Sequence, residues 1–159
     1  KGYDKGYFGL GLAFEKGYGV ESKDKKKALK WYLKAAELGH TESQFRAGFL
    51  LMFDNGSEAE KWYTKAADKG HLNAQNNLGY MYAKGMGSSM WGDKKKAYKY
   101  YLMAAEQGSG VAQYNVCVFH YNGSGGAIKS NKIAKEWCQK AVDGGYSKAG
   151  SLLQRVSSD

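Results

Sequence analysis

Alanine and aromatic residues recur at helical spacing along the chain. Between residues 28 and 36 they occupy positions i, i+3, i+4, i+7 and i+8, as Ala28, Trp31, Tyr32, Ala35 and Ala36. This spacing places them on one face of an α-helix and predicts a helix with one buried side. The pattern returns three times, at shifts of 31, 38 and 37 residues, and the alanines in the position of Ala28 are Ala59, Ala97 and Ala134. The chain therefore consists of internal repeats.

Each of these helices is preceded by a second apolar-periodic segment and a glycine-rich turn, as the stretch Gly70 to Gly108 shows. A unit of two helices cannot bury its apolar face alone, so the units must stabilise one another. We predict an all-α, superhelical α/α solenoid in one repeat domain, 1–159. Its expected repeats are residues 1–39, 40–70, 71–108 and 109–145, with a terminal helix over 146–159.

Local signals predict where several helices begin and end. Asp24 is expected to cap a helix that runs through Leu38, and Gly39 to end it in the left-handed conformation. In the second repeat, Ser57 and Glu60 have the spacing of a capping box after a turn at residues 54–56.

The repeat carries a recognisable consensus: A-x-x-x-L-G-x-x-Y, then G-x-G, then D-x-x-K-A-x-x-W-Y-x-K-A-A-x-x-G-H. It resembles the Sel-1-like repeat, a relative of the tetratricopeptide repeat. The resemblance implies an α/α superhelix and adaptor or scaffold work in protein complexes. We expect that this chain is not an enzyme. The third repeat carries the consensus on Ala74, Leu78, Gly79, Tyr82, Gly85, Gly87, Asp93, Lys96, Ala97, Tyr100, Tyr101, Ala104, Ala105 and Gly108.

The charge balance is basic, with 24 Lys and Arg against 15 Asp and Glu. Lysines such as Lys27, Lys30 and Lys34 form a stripe on the second helices that could neutralise phosphates. They lie opposite the predicted buried face, however, which is the solvated side of the helix. We therefore favour electrostatic steering of an acidic partner over nucleic-acid binding.

No stretch of the sequence has the length and apolar character of a membrane span, and no signal sequence opens it. We expect a soluble chain without membrane insertion. It starts at Lys1 in the middle of the repeat pattern, which indicates an excised fragment or a form whose signal peptide has been removed. The compartment stays open, with a lean towards the bacterial envelope, the periplasm or the cytosol.

Two cysteines are too few for a disulfide framework and do not have zinc spacing. Cys117 and Cys138 fall on the two predicted helices of one repeat, where a bridge is sterically conceivable. Buried free thiols also pack well in helical cores, and this is the interpretation we favour from sequence.

The remaining candidates for chemistry have structural explanations. His40 and His71 share one turn position of the repeat, which indicates packing or capping, and His120 replaces a core tyrosine. The glycine pairs recur once per repeat as turns, with no preceding strand to make a phosphate site. We predict no catalytic residue, no metal site and no cofactor.

The first helices carry the most informative pattern. Stepping 100° per residue places a second set of side chains on the face opposite the buried one. These side chains include more aromatic rings than a solvent-facing helix normally shows, although packing between neighbouring repeats would also explain them. We predict that they line a concave strip flanked by lysines: Phe8, Leu12, Phe45, Phe49, Asn76, Tyr80, Lys84, Tyr114 and Val118.

Three functions follow. The first is a protein-binding solenoid that holds a peptide, helix or loop of a partner on the strip. The second is a β-lactam-binding or -hydrolysing relative of the cysteine-rich members, whose paired cysteines fall at positions matching Ala36 and Gln44. This chain has no cysteine there, so the residue-by-residue comparison fails. The third is a purely structural segment of a longer scaffold.

Overall fold

A computed structural model describes residues 2–88 and 91–158 of the chain. In these ranges the chain forms nine α-helices and no β-strand. The helices are α1 Tyr3–Lys16, α2 Lys25–Glu37, α3 Thr41–Leu51, α4 Gly56–Asp68, α5 Leu72–Lys84, α6 Lys94–Glu106, α7 Gly110–Asn122, α8 Asn131–Asp143 and α9 Ala149–Ser158.

The contacts divide the chain into two compact units, Lys1–Ala74 and Gln75–Asp159. The boundary falls inside α5. Unit 1 contains the hairpins α1–α2 and α3–α4, and unit 2 contains most of α5 together with α6 to α9. The single repeat domain expected from the sequence remains a prediction.

In each of the first three helical pairs, a glycine of the first helix lies against a tyrosine ring of the second helix. A Cβ atom at Gly11 would lie 2.5 Å from ring carbons of Tyr32, so only glycine allows this approach of α1 to α2. The tyrosine is fully buried, as are the alanines that the sequence placed on the same face of α2. The two equivalent pairs are Gly48 with Tyr63 and Gly79 with Tyr101.

In the fourth repeat this glycine and this tyrosine are both replaced by cysteine. Cys117 and Cys138 form a disulfide between α7 and α8, with their Cα atoms 5.3 Å apart. The favoured expectation of two free thiols was wrong. The physical reason is that the two positions face each other in every repeat, and small side chains at both bring their sulfur atoms together.

Of the three cap signals predicted from the sequence, two are confirmed and one is wrong. Asp24 caps α2 by accepting a hydrogen bond from the amide of Lys27 at 2.9 Å, and Gly39 has a φ of 90°, as expected. In the second repeat the cap is Asn55, which accepts from the amide of Glu58 at 3.1 Å. The capping box at Ser57 was wrong, because α4 already begins at Gly56.

The last helix begins at Ala149, three residues later than expected, after a turn in which the amide of Ala149 bonds to the carbonyl of Tyr146. Its buried residues, Ala149, Leu152 and Val156, join Cys117 and Cys138 in one apolar cluster. The core of unit 2 therefore extends onto α9.

Candidate functional site

The first helices of the repeats position the predicted site residues, which differ widely in exposure. Phe49 is 54% exposed and Tyr80 is 41% exposed, and Lys84 is exposed as well. Phe49 and Tyr80 occupy the same position of successive repeats. The other predicted residues are half-buried: Phe8, Leu12, Phe45, Asn76, Tyr114 and Val118.

Four of these half-buried residues share a structural role. Each contacts a residue that lies one to three positions before the next first helix, and the two partners change together from repeat to repeat. Packing within each unit therefore accounts for part of their burial. The pairs are Phe8 with His40 (ring centroids 4.8 Å), Phe45 with His71 (4.6 Å), Asn76 with Ser109 (a hydrogen bond of 2.9 Å) and Tyr114 with Tyr146 (5.6 Å).

The histidines act as caps and packing groups. Nδ1 of His40 accepts a hydrogen bond from the amide of Ser43, and Nδ1 of His71 accepts from the amide of Ala74, each at 3.2 Å. His120 is buried, and its Nδ1 lies 2.9 Å from the carbonyl of Ile128, to which it must donate. The capping and core roles expected for these residues are confirmed.

A hydrogen-bonded network of charged groups lies between α1 and α3 in unit 1. Glu15 accepts from the Tyr32 hydroxyl at 2.6 Å and from Nη1 of Arg46 at 2.9 Å and 3.0 Å. Nε of Arg46 donates to Glu42, which also accepts from Nε2 of His71 at 3.0 Å. The network therefore connects α1, α2 and α3 with the residue that directly precedes α5.

The electrostatics of the network favour its charged form. Burial alone would raise the pKa of the Glu15 carboxyl, but hydrogen bonds from Tyr32 and Lys16 and the nearby Arg46 guanidinium hold it below its ordinary value. Burial and the hydrogen bond to Glu15 raise the pKa of Tyr32. The carboxylate is therefore an acceptor and the phenol a donor at neutral pH.

A hollow of about 260 Å³ lies beside this network, which we call the unit-1 hollow. Its wall is mostly apolar and includes charged side chains. The size and character suit an apolar side chain of a bound segment. Its lining residues are Glu15, Lys25, Phe45, Arg46, Phe49 and Leu50.

Two adjoining hollows of about 490 Å³ and 250 Å³ lie in unit 2, and we call them together the unit-2 hollow. They share Ala83, Tyr101 and Asn115 as a common wall. Lys84 lines the larger and Lys94 the smaller, and no carboxylate is among the described residues that line either one. Asn76, Asn77, Tyr80 and Val111 complete the larger hollow, and Val118, Phe119, Asn122 and Ser124 complete the smaller.

The hollows bring together only some of the predicted residues. Phe45 and Phe49 meet in the unit-1 hollow, and Asn76, Tyr80, Lys84 and Val118 line the unit-2 hollow. Sequence reasoning missed the contributions of Arg46, Tyr101 and Asn115. An alignment of the repeats could have indicated Arg46 and Asn115, because they occupy equivalent positions next to the predicted site residues Phe45 and Tyr114.

In the lysine stripe of the second helices, Lys27 and Lys30 are exposed and Lys34 is half-buried. The ammonium groups of three lysines lie over indole rings of the same helix, which is a favourable cation–π arrangement. These lysines cover tryptophan faces and are less available to bind phosphates. The pairs are Lys34 with Trp31 (4.4 Å), Lys65 with Trp62 (4.1 Å) and Lys140 with Trp137 (4.2 Å).

No group of three or more His, Cys, Asp and Glu side chains in residues 2–88 and 91–158 is arranged to hold a metal ion. None of the helices in this part of the chain is both long enough and apolar enough to cross a membrane.

Comparison with known proteins identifies the repeat. The sequence pattern of the Sel1 repeat matches residues 4–40, 41–71, 72–109 and 110–146. The chain belongs to the Sel1 repeat family. The predicted fold class, an all-α solenoid of four Sel1 repeats, is confirmed by this match and by solved structures of the same fold. A search of curated protein sequences gave no match.

Three solved structures are similar over most of the chain. A Sel1 repeat protein from Oxalobacter formigenes is 32% identical, with a TM-score of 0.86 over 94% of this chain and 62% of that one. The protective antigen c5321 of uropathogenic Escherichia coli, which displays an SLR fold, is also 32% identical, with a TM-score of 0.82 over 96% of this chain and 33% of that one. Helicobacter pylori cysteine rich protein B is 26% identical, with a TM-score of 0.63 over 85% of this chain and 98% of that one.

The first two of these relatives are longer than the chain, which spans 62% and 33% of their lengths. At the positions linked above with paired cysteines, the Sel1 repeats of this chain have a hydrogen bond instead. Nε2 of Gln44 donates to the carbonyl of Ala36 at 3.1 Å. The disulfide of this chain lies elsewhere, inside the fourth repeat.

Proposed function

We propose that the chain is an adaptor or scaffold module that binds a segment of a partner protein on the first helices of its repeats. Sel1 repeats are generally non-enzymatic protein-interaction scaffolds. The observation that carries the proposal is the exposure of Phe49 and Tyr80, two aromatic rings at one repeat position, each at the edge of a hollow.

The two hollows support this function through their different chemistry. The unit-1 hollow offers apolar area from Phe45, Phe49 and Leu50, and such area supplies most of the free energy of protein binding. The unit-2 hollow offers carboxamides and phenols, which can hydrogen-bond an extended backbone. Lys84 adds positive charge that would steer an acidic segment.

The test compares exposed aromatic residues at two places. Phe49→Ala with Tyr80→Ala removes the rings at the hollows, and Tyr18→Ala removes a ring that is 69% exposed in the turn after α1 and serves as the matched control. A partner is first captured with the wild-type chain from an extract of the producing cells and then titrated by calorimetry. We expect the double variant to weaken binding by at least about tenfold and the control to leave it unchanged. An equal loss of partner affinity in the double variant and in the control would contradict binding at the hollows.

The disulfide supports an oxidising compartment, such as the bacterial envelope, as the place where the module works. Disulfides persist in such compartments and are rare where thiols are kept reduced. Quenching the producing cells with acid and labelling the denatured chain with a maleimide tests this placement, because both cysteines are buried in the folded chain. We expect Cys117 and Cys138 to escape labelling, whereas full labelling of both would contradict it.

A further inference from the structure

The smaller part of the unit-2 hollow is the counterpart of the unit-1 hollow. Superposing the repeats pairs Lys25 with Lys94, because each is the first residue of a second helix after an aspartate cap. The same register pairs Arg46 with Asn115, and Phe49 with Val118. The two hollows therefore occupy one repeat position, and they differ in which groups line them.

The first three repeats differ in the residue that lies at the position of Glu15, and only the first has a carboxylate there. In the first repeat Glu15 occupies the last turn of α1 and accepts the hydroxyl hydrogen of the buried Tyr32. In the second repeat the sulfur of Met52 takes its place, 3.9 Å from the hydroxyl of Tyr63. In the third repeat the position is Ala83, whose side chain has no acceptor.

The tyrosine of the third repeat is nevertheless retained. Tyr101 is only 5% exposed and lines both parts of the unit-2 hollow. Among residues 2–88 and 91–158, no hydrogen bond involves its hydroxyl. Burial and the neighbouring Tyr80 raise the pKa of Tyr101 to about 12, so the phenol remains a donor at neutral pH. The ring is buried and the residue lines both parts of an open hollow, so its hydroxyl can donate to a ligand bound there.

We propose that the unit-2 hollow binds a carboxylate of the partner segment, in the place that Glu15 fills in the first repeat. Tyr101 donates to the carboxylate as Tyr32 donates to Glu15. Lys94 from the smaller part of the hollow and Lys84 from the larger part neutralise its charge. This inference rests on the proposed function and specifies its chemistry: the partner presents an acidic group to unit 2.

The surrounding groups support an anion over a neutral or cationic group. The lining contains two lysines and four asparagines, and the described lining residues include no aspartate or glutamate. The carboxamide of Asn115 donates one hydrogen to the carbonyl of Val111, and its second hydrogen remains for a ligand. A bound carboxylate would thus find charge and more than one donor within the same hollow.

A stability cycle tests the hollow without any partner. Ala83→Glu places a carboxylate where the first repeat has one, and Ala83→Gln is the neutral control of the same size. Both are made with and without Tyr101→Phe, and urea unfolding is measured at pH 7. We expect the Glu variant to be more stable than the Gln variant, and Tyr101→Phe to abolish that difference. An unchanged difference after Tyr101→Phe would overturn the assignment of Tyr101 as the donor.

A ligand titration tests the binding itself. The probe is N-acetylglutamate α-amide, with N-acetylglutamine α-amide as the neutral control and N-acetylalanine as a probe for a chain-terminal carboxyl. Amide shifts of the ¹⁵N-labelled chain are followed at Asn115 and Asn122. We expect the acidic probes to shift these signals and Tyr101→Phe to weaken the response about tenfold. Tyr63→Phe, the same change in unit 1, should have no effect.

The titration also separates acidic side chains from chain termini as the source of the carboxylate. A larger response to the glutamate compound identifies a side chain, and a larger response to N-acetylalanine identifies a terminus. Equal shifts with the glutamate and glutamine compounds would overturn the inference. If a partner instead binds through Phe49 and Tyr80 but tolerates Ala83→Glu, the proposed function stands and the carboxylate site falls.

Discussion

Gly11 and Gly9 lie two residues apart on α1 in very different surroundings. A Cβ at Gly11 would meet ring carbons of Tyr32 at 2.5 Å, whereas one at Gly9 would meet nothing within 4 Å. The ring belongs to a fully buried tyrosine that also holds Glu15, so it cannot move aside freely. The single glycine therefore sets the spacing of the first hairpin.

This contrast predicts opposite effects for one substitution at two positions. Gly11→Ala should lower the free energy of unfolding by about 2 kcal/mol, because it overpacks the α1–α2 contact. Gly9→Ala should raise it by up to about 1 kcal/mol, since alanine favours an exposed helix position. Urea unfolding of both variants measures the difference, and equal effects would contradict the packing account.

The cysteine pair offers a second prediction at this scale. Cys117 and Cys138 replace the glycine and tyrosine of the other repeats, so Cys117→Gly combined with Cys138→Tyr restores their pair. We expect the double variant to be more stable than Cys138→Tyr alone, in which the new ring meets the side chain of Cys117. Unfolding under reducing conditions measures this coupling, and additive effects of the two changes would argue against it.

Loss of the bridge itself should also be measurable. Closing a loop of 21 residues stabilises a chain by about 3 kcal/mol in the loop-entropy estimate. Reduction of the wild-type chain should therefore lower its free energy of unfolding by roughly that amount. The restored Gly–Tyr variant contains no cysteine and should show no response to reductant. An equal response in the wild-type chain and in this variant would contradict the assignment of the loss to the bridge.

At the scale of the elements, the caps show what sequence determines and what it leaves open. Asn55 and Ser57 are both good caps and lie two residues apart, so the pattern alone does not choose between them. The structure chooses Asn55, whose carbonyl also accepts the first helical hydrogen bond, from Ala59. Residue spacing predicts that a helix starts here, and the contacts fix the exact residue.

Substitution of the two caps tests this correction. Asn55→Ala should lower the free energy of unfolding by about 1 kcal/mol, because it leaves the amide of Glu58 without its acceptor. Ser57→Ala should change it little, since Ser57 lies inside the first turn of α4. Thermal or urea unfolding of the two variants is the measurement. A larger decrease in the free energy of unfolding for Ser57→Ala than for Asn55→Ala would support the capping box instead.

The network between α1 and α3 predicts a pH dependence. The folded-state pKa of Glu15 lies below its ordinary value of 4.5, so its contribution is present above that pH and is lost as the pH falls through the folded pKa. Glu15→Gln should therefore destabilise the chain by about 1 kcal/mol at pH 7 and by less at pH 3. Glu37→Gln, at an exposed position of α2, is the control, and an equal pH slope in both variants would contradict the assignment.

The sequence alone predicted the helices, the buried alanine face and the histidine caps, because each depends on residues close together in the chain. It did not reveal the network of Glu15 with Arg46 or the ring pairs such as Phe45 with His71, since their partners lie 31 and 26 residues apart. The disulfide could have been predicted from the alignment of the repeats, because Cys117 and Cys138 occupy the positions of a glycine and a tyrosine that contact each other in the other three repeats.

At the scale of the whole molecule, the charge is unevenly distributed. Unit 1 has 13 Lys and Arg against 10 Asp and Glu, and unit 2 has 11 against 5. The more basic unit is also the one whose hollow is lined by Lys84 and Lys94. An acidic segment would thus be drawn towards unit 2, and salt would slow its association.

The central claim, that the first-helix hollows bind a protein, is tested most directly by photo-crosslinking. Benzoylphenylalanine is introduced in place of Phe49, Tyr80, Tyr18 or Ile128, one position at a time, in cells that produce the chain. Phe49 and Tyr80 lie at the hollows, and Tyr18 and Ile128 are more exposed but lie in the turns. We predict crosslinks to one and the same partner protein from positions 49 and 80, and none from 18 or 128. Crosslinks to a partner from positions 18 and 128 alone would contradict the claim and place the binding surface on the turns.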